Sequence, residues 1–269
     1  MPNQLSDKLR YEKPPIVERV IGVYHTIPQD QYEAQLPSWA EKIRNVYPIS
    51  APLSEWSIDI ESKGGVPIVK NLTPTARIIP LFWQRHAKGL HVRGMRLRPD
   101  RLVLHLCREG KQPHDFDELL PEMERWLVPW AEHFGVPDID GVALEYVNQL
   151  NAEITPQFVD SSGGVKIAEA LNMFATFPHQ VKSVTKPYDC KARLVIDPVK
   201  PTVFDVRVRA DDGPTNSVRV EFVVRTFPAA KRLSFNEALS ELRHGHDIML
   251  EQFGCFFTEQ AKLSFAPKT

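Results

Sequence analysis

Two hydrophobic rhythms run through this sequence, a period of two that marks strands and a period near 3.6 that marks helices. The first strand signal is the β-branched segment Ile16–Ile27, entered through Pro14-Pro15, which hold the chain extended. Tyr32, Leu36, Trp39/Ala40, Ile43 and Val46/Tyr47 then recur at helical spacing, with Pro37 either opening that helix or bending it. Four strand candidates follow, Glu55–Ser62, Ala76–Arg85, Leu90–Arg98 and Arg101–Arg108, separated in part by the turn signals Gly64-Gly65 and Pro99-Asp100. A second helix is expected over Asp115–Phe134. Asp115 and Glu118 resemble a capping box, Pro121 and Pro129 are possible kink sites, and Gly135 serves as the stop. Its apolar stripe includes Trp126, Trp130 and Phe134. At that spacing a core role outweighs an interface role.

The pattern then begins again. Asp138 to Leu150 carries a strand at Val142–Leu150, and Ser161-Ser162-Gly163-Gly164 leads into a short helix. Strand candidates follow at Gln180–Pro187, Cys190–Asp197, Thr202–Ala210 and Ser217–Phe227. A last helix runs from Ser234 to about Phe253, opened by the capping box Ser234-Phe235-Asn236-Glu237. Hairpins with helices on one side define an α+β protein with a largely antiparallel sheet. The expected organisation is a flexible arm at 1–13, one strand-helix-four-strand-helix unit at 14–137 and a second at 138–269. The two units join into a curved sheet, and their order of elements resembles that of the TATA-binding protein. The halves do not align residue by residue, and a fold does not imply a function.

The composition excludes more than it selects. The 269 residues are 42% hydrophobic and 25% charged, enough apolar material for a full core. The formal charge of -1 gives no global pull toward nucleic acid or anionic membrane, so any such binding needs a local patch. The 3 cysteines, Cys107, Cys190 and Cys255, follow no disulfide or metal spacing. Unpaired thiols and a polar start without a leader pattern are expected of a cytoplasmic protein. No apolar run is long enough to span a bilayer.

Local charge is more informative. In Ser217–Thr226, Val218, Val220, Phe222 and Val224 point one way while Arg219, Glu221, Val223 and Arg225 point the other. Asp205, Arg207 and Arg209 share a face in the preceding strand, and Lys191, Arg193 and Val195 repeat the theme. Arg93, Arg96 and Arg98 are their counterparts in the first half. Arginine forks bind carboxylate or phosphate at two points, which makes this a candidate anion- or partner-binding face. Cross-strand ion pairs with Asp205 and Glu221 are the plainer reading.

No catalytic signature emerges. His244 and His246 lie two apart on a helix and point apart, Glu241-x-x-His244 has no second copy, and no metal or other cofactor is expected. Ser161-Ser162-Gly163-Gly164 lacks the lysine and spacing of a phosphate loop. The leading expectation is a non-enzymatic binding or assembly protein that takes a protein partner or a second copy of itself. A nucleic-acid binder using the arginine face is the alternative. An enzyme assembled from scattered residues is a third, because catalytic groups meet in space rather than along the chain.

Three stretches also carry a resemblance: Tyr11-Glu12-Lys13-Pro14-Pro15-Ile16-Val17-Glu18, the strand Leu144-Glu145-Tyr146-Val147-Asn148-Gln149-Leu150, and the ending with His246-Asp247, Phe253 and Thr258-Glu259. Together they resemble a family of sporadically distributed bacterial proteins of about this length with no assigned function. That family usually carries basic residues where Glu145 and Gln149 stand here. The resemblance implies a mobile accessory gene of the kind found in defence or toxin–antitoxin neighbourhoods, and it implies no catalytic residues.

Overall fold

A computed structural model describes residues 11–51, 53–63, 66–84, 92–108, 116–174, 188–198, 201–211, 217–229 and 231–266. In chain order the elements are β1 (Ile16–Tyr24), α1 (Gln29–Ile43), β2 (Ile49–Ser50), β3 (Leu53–Lys63), β4 (Val66–Ile79), β5 (Leu81–Trp83), β6 (Arg93–Arg98), β7 (Arg101–Cys107) and α2 (Phe116–Phe134). After these come β8 (Gly141–Leu150), α3 (Ile167–Ala170), β9 (Tyr188–Asp197), β10 (Thr202–Asp211), β11 (Ser217–Thr226), α4 (Phe235–Phe256) and α5 (Glu259–Ser264). The fold is α+β. Nine strands form one open antiparallel sheet in the order β2-β5-β6-β7-β1-β8-β11-β10-β9, and β3 and β4 pair separately as a two-stranded sheet.

The centre of the sheet is the pair β1–β8, where Ile21 faces Leu144 and Val23 faces Val142. Both strands carry long apolar runs and are buried along most of their length, as suits strands covered on both faces. Outward from them the order is β7, β6, β5 on one side and β11, β10, β9 on the other. One face of the sheet packs against the helices. Ile21, Leu104, Leu144, Phe222 and Phe204, one from each of five neighbouring strands, join Trp39 of α1, Trp130 and Phe134 of α2 and Met249 and Phe253 of α4 in a single core. The α2 aromatics are thus core residues, Trp130 and Phe134 each at 1% exposure.

Local signals explain most boundaries. Ser234 accepts from the Glu237 amide and Glu237 reaches back to the Ser234 amide, completing the expected capping box of α4. Gly135 adopts φ +66 just past α2, where a left-handed residue turns the chain. At Gly141 a Cβ would stand 2.7 Å from the Thr226 carbonyl oxygen and would run into the Phe227 ring, so β8 begins where only glycine lets β11 approach.

The structure departs from the sequence reading at several points. Pro80 has no N–H for the ladder, and it divides the expected strand Ala76–Arg85 between the end of β4 and the short β5. Glu55–Ser62 lies in β3, whose partner is β4 rather than the main sheet. Helix α1 starts at Gln29, so Pro37 lies inside it rather than opening it, and the helix expected as far as Phe134 is present as α2, unbroken at Pro121 and Pro129. Those two prolines sit on the outer side of α2, where water can satisfy the carbonyls they leave free. The last residues of the expected loose arm are docked: the Tyr11 ring packs 5.5 Å from Phe253 and 5.9 Å from Phe265, and the Glu12 amide bonds to the Ala266 carbonyl. The strand expected at Gln180–Pro187 and the cap expected at Asp115 lie outside the described residues.

Candidate functional site

Strand alternation sends every second side chain to the face away from the helices. On β10 these are Val203, Asp205, Arg207 and Arg209, and on β11 Arg219, Glu221, Val223 and Arg225. On β9, Asp189, Lys191, Arg193 and Val195 oppose the β10 set in register. Glu145 and Val147 of β8, Glu18 and Val20 of β1, Val103 and His105 of β7, and Arg96 and Arg98 of β6 continue the face across the sheet. Six of the seven arginines marked in the sequence, Arg96, Arg98, Arg207, Arg209, Arg219 and Arg225, therefore share one surface. Arg93 does not: it stands opposite Leu106, on the helix face, and its Nη2 lies 2.8 Å from Glu118 of α2. The reason is parity, since residue 93 is out of phase with 96 and 98.

The arginines are held in a repeated arrangement in which one carboxylate lies between two cations. Asp205 accepts from Arg193 at 2.6 Å and also from Arg225. Glu221 lies 3.1 Å from Arg209 and 2.8 Å from Arg219. Asp189 takes Arg207 at 2.6 Å with Lys191 at 4.0 Å, and the Arg207 hydrogen bond pulls its carboxyl below the usual range. Asp100 lies between Arg98 and Arg101, at 3.3 and 2.9 Å. The cross-strand ion pairs foreseen for Asp205 and Glu221 are thus present. Glu221 also lies 4.0 Å from Arg207, so the ion pairs of β9, β10 and β11 set three acids among six bases and the face keeps an excess of positive charge.

On β8 to β11 this surface sinks into a trough of about 640 Å³, with Glu145, Glu221 and Asp205 alternating with Arg193, Arg207 and Arg225 along its lining. Burial raises the Glu145 carboxyl, and the neighbouring Glu221 and Glu18 charges add to the effect. Toward β7, Glu18 and His105 are joined at 2.7 Å. Burial alone would raise the Glu18 carboxyl, but the His105 hydrogen bond and the charges of His105, Arg219 and Arg96 bring it below its usual range. Burial, and then the Arg101 charge, lower Arg96.

Other sequence candidates resolve into structural roles. The amides of Ser162 and Gly164 both donate to Asp160 Oδ1 at 2.9 Å, so this loop's own side chain occupies its anion-facing donors. His246 points inward and shares a 2.7 Å hydrogen bond with the Tyr146 hydroxyl. Cys107, Cys190 and Cys255 are free thiols, and burial together with the Glu18 charge pushes Cys107 up to about 12, far from a reactive thiolate. Among the described residues no group of three or more His, Cys, Asp or Glu could hold a metal ion, and no helix is long and apolar enough to cross a membrane. Sequence reading missed Asp189, Glu145 and the Glu18–His105 pair. Only the strand register brings Asp189 beside Arg207 and Glu18 beside His105, and neither pair shares a local motif.

Compared with known proteins, no family model, no curated protein and no solved structure matches this chain.

Proposed function

We propose that the protein is a non-enzymatic binding or assembly protein whose working surface is the sheet face away from the helices, and that this face takes an acidic surface of a partner protein or of a second copy. The observation that carries the reading is the one-acid-to-two-bases arrangement around Asp205, Glu221 and Asp189. It fixes the guanidiniums in place and leaves bases in excess of acids, a surface that attracts carboxylates from outside. Glu145, Asp205 and Glu221 stand among four cations along the trough, a mixed pattern that a protein surface can match side chain by side chain and a uniformly negative phosphate backbone cannot. The strand order outward from β1–β8 supports reading 14–137 and 138–269 as two successive units of one scaffold. The resemblance drawn from three short stretches adds an accessory role, in a defence or toxin–antitoxin setting.

The excess of cations keeps a second reading, nucleic-acid binding by the same face. Fluorescence anisotropy with a labelled poly-glutamate peptide and a labelled single-stranded oligonucleotide, each at low and moderate salt, separates the two. The first reading expects the peptide to bind and the double variant Arg207→Glu/Arg225→Glu to lose that binding. Tight oligonucleotide binding that falls steeply with salt would transfer the assignment to nucleic acid. Binding of neither probe at low salt would remove both readings.

A further inference from the structure

Arg19, like Arg93, lies on the helix side of the sheet, but it is set among the core residues. Arg19 of β1 stands in register with Leu106 of β7 and Tyr146 of β8, on the helix face. It is only 8% exposed. Among the described residues it has no carboxylate partner and no hydrogen-bond acceptor, and its Nε is sealed from solvent. Its guanidinium carbon lies over the Tyr146 ring, 5.1 Å from the centroid. A buried guanidinium in this state is costly, and proteins normally pair such a charge.

No described residue pairs a carboxylate with Arg19. The nearest influence of like sign is Arg108, whose Nη1 donates to the Pro14 and Ile16 carbonyls at 2.8 and 3.3 Å. Burial, and after it the Arg19 charge, hold the Arg108 guanidinium below its usual range. On the other side, Tyr146 is held by His246, whose ring stacks on Phe116, the first residue of α2, at 4.2 Å and 11°. Two cations, a phenol and an imidazole therefore meet where β1, β7 and β8 pass beneath the start of α2 and the middle of α4.

We propose that Arg19 anchors a binding site for a small anionic ligand, the ligand's phosphate or carboxylate group supplying the counter-charge that the described residues do not. Arg108 adds long-range attraction, and the Tyr146–His246 pair holds the aromatic wall beside which the guanidinium lies. The fork of Arg19 takes two oxygens of the anion at once. This site is on the other side of the sheet from the arginine trough and stands or falls independently of it.

The test is thermal unfolding of the full chain in chloride buffer, with inorganic phosphate or acetate substituted at constant ionic strength to about 10 mM, enough to register a millimolar site. The parent protein gains about 2 °C or more in Tm with the bound anion. A gain with phosphate alone assigns a phosphate group, and a gain with both assigns a site that accepts any small oxyanion. Arg19→Met, which removes the unpaired charge while keeping the stem, is at least as stable as the parent in chloride and shows no anion-dependent gain. Arg19→Lys keeps the charge, loses the fork and shows a smaller gain. Absence of any gain in the parent, or an equal gain in Arg19→Met, overturns the site. Should Arg19→Met fail to fold, the phosphorus resonance of inorganic phosphate decides. It broadens on addition of the parent protein if the site exists, and an unchanged line width refutes it.

Discussion

Glu18 of β1 and His105 of β7 meet on the helix-free face with Oε1 and Nδ1 2.7 Å apart. An ionised carboxylate can only accept, so Nδ1 carries the proton. His105 is 9% exposed, and the Glu18 side chain retains 24% of its exposure, so solvent screens the pair only in part. Replacing Glu18 by Gln weakens a charge-assisted bond to a neutral one and lowers the unfolding free energy by about 1–2 kcal/mol. The pH dependence has a definite sign. The Glu18 carboxyl is held below its ordinary value in the folded state, so its contribution is complete above about pH 4.5 and is lost as pH falls through the folded value. Urea titrations at pH 7 and pH 4 should show a smaller drop in Glu18→Gln than in the parent; equal drops would count against this role.

A second acid-sensitive group has a different origin. His25 is 3% exposed, with its ring 4.3 Å from that of Trp130, and burial pushes it down to about 3. The unfolded chain takes up this proton near pH 6.5 and the folded one does not, so stability falls as pH drops from about 6.5 toward 3. The full effect is on the order of 5 kcal/mol. His25→Leu removes this slope, since nothing is left to protonate. Stability measured from pH 7 to 4 checks it, and a variant with the parent's slope would assign the acid sensitivity elsewhere.

The contrast between these two histidines shows what sequence could and could not reveal. Alternation in Ser217–Thr226 and Thr202–Ala210 was enough to place Phe204 and Phe222 in the core and Arg207 and Arg219 on the far face, because strand parity is a local property. Parity was also enough to exclude Arg93 from that face and to place Arg19 with Ile21 and Val23 on the core side, a signal present in β1 but not used. What lay beyond reach was register across strands distant in sequence. His105 reads the same whether Glu18 or solvent faces it, and the β1–β7 and β1–β8 pairings are long-range choices of the whole sheet. The separation of β3–β4 from the main sheet was hidden for the same reason. Pro80 marks a break, but nothing local says where the chain goes next.

The cap of α4 gives a prediction that the sequence alone already supports. Ser234 Oγ accepts from the Glu237 amide, and the Glu237 carboxylate is held by the Ser234 amide and Lys231 Nζ at 2.8 and 2.9 Å. The Lys231 hydrogen bond, followed by that from the Ser234 backbone, takes Glu237 down to about 2. Ser234→Ala should cost about 1 kcal/mol, the usual worth of such a cap. A chemical-denaturation midpoint unchanged by the substitution would show that packing against β8 and β11, rather than the cap, sets the start of the helix.

Two glycines give opposite predictions for the same substitution. At Gly141 an added methyl would stand 2.7 Å from the Thr226 carbonyl oxygen, a backbone atom of the neighbouring strand, as well as inside the Phe227 ring contact. Neither strand can yield without breaking the β8–β11 register, so Gly141→Ala should destabilise by about 1–3 kcal/mol. Gly245 lies inside α4, where a Cβ would meet Val224 at 3.5 Å, an ordinary van der Waals distance. There alanine removes the backbone entropy penalty of a helical glycine and fills the helix–sheet contact, so Gly245→Ala should stabilise by up to about 1 kcal/mol. Calorimetric melting of both variants beside the parent resolves the pair. A Gly245→Ala protein that melts lower would mean that α4 is pressed onto β11 more closely than the Val224 distance indicates, leaving the helix no room for even one methyl.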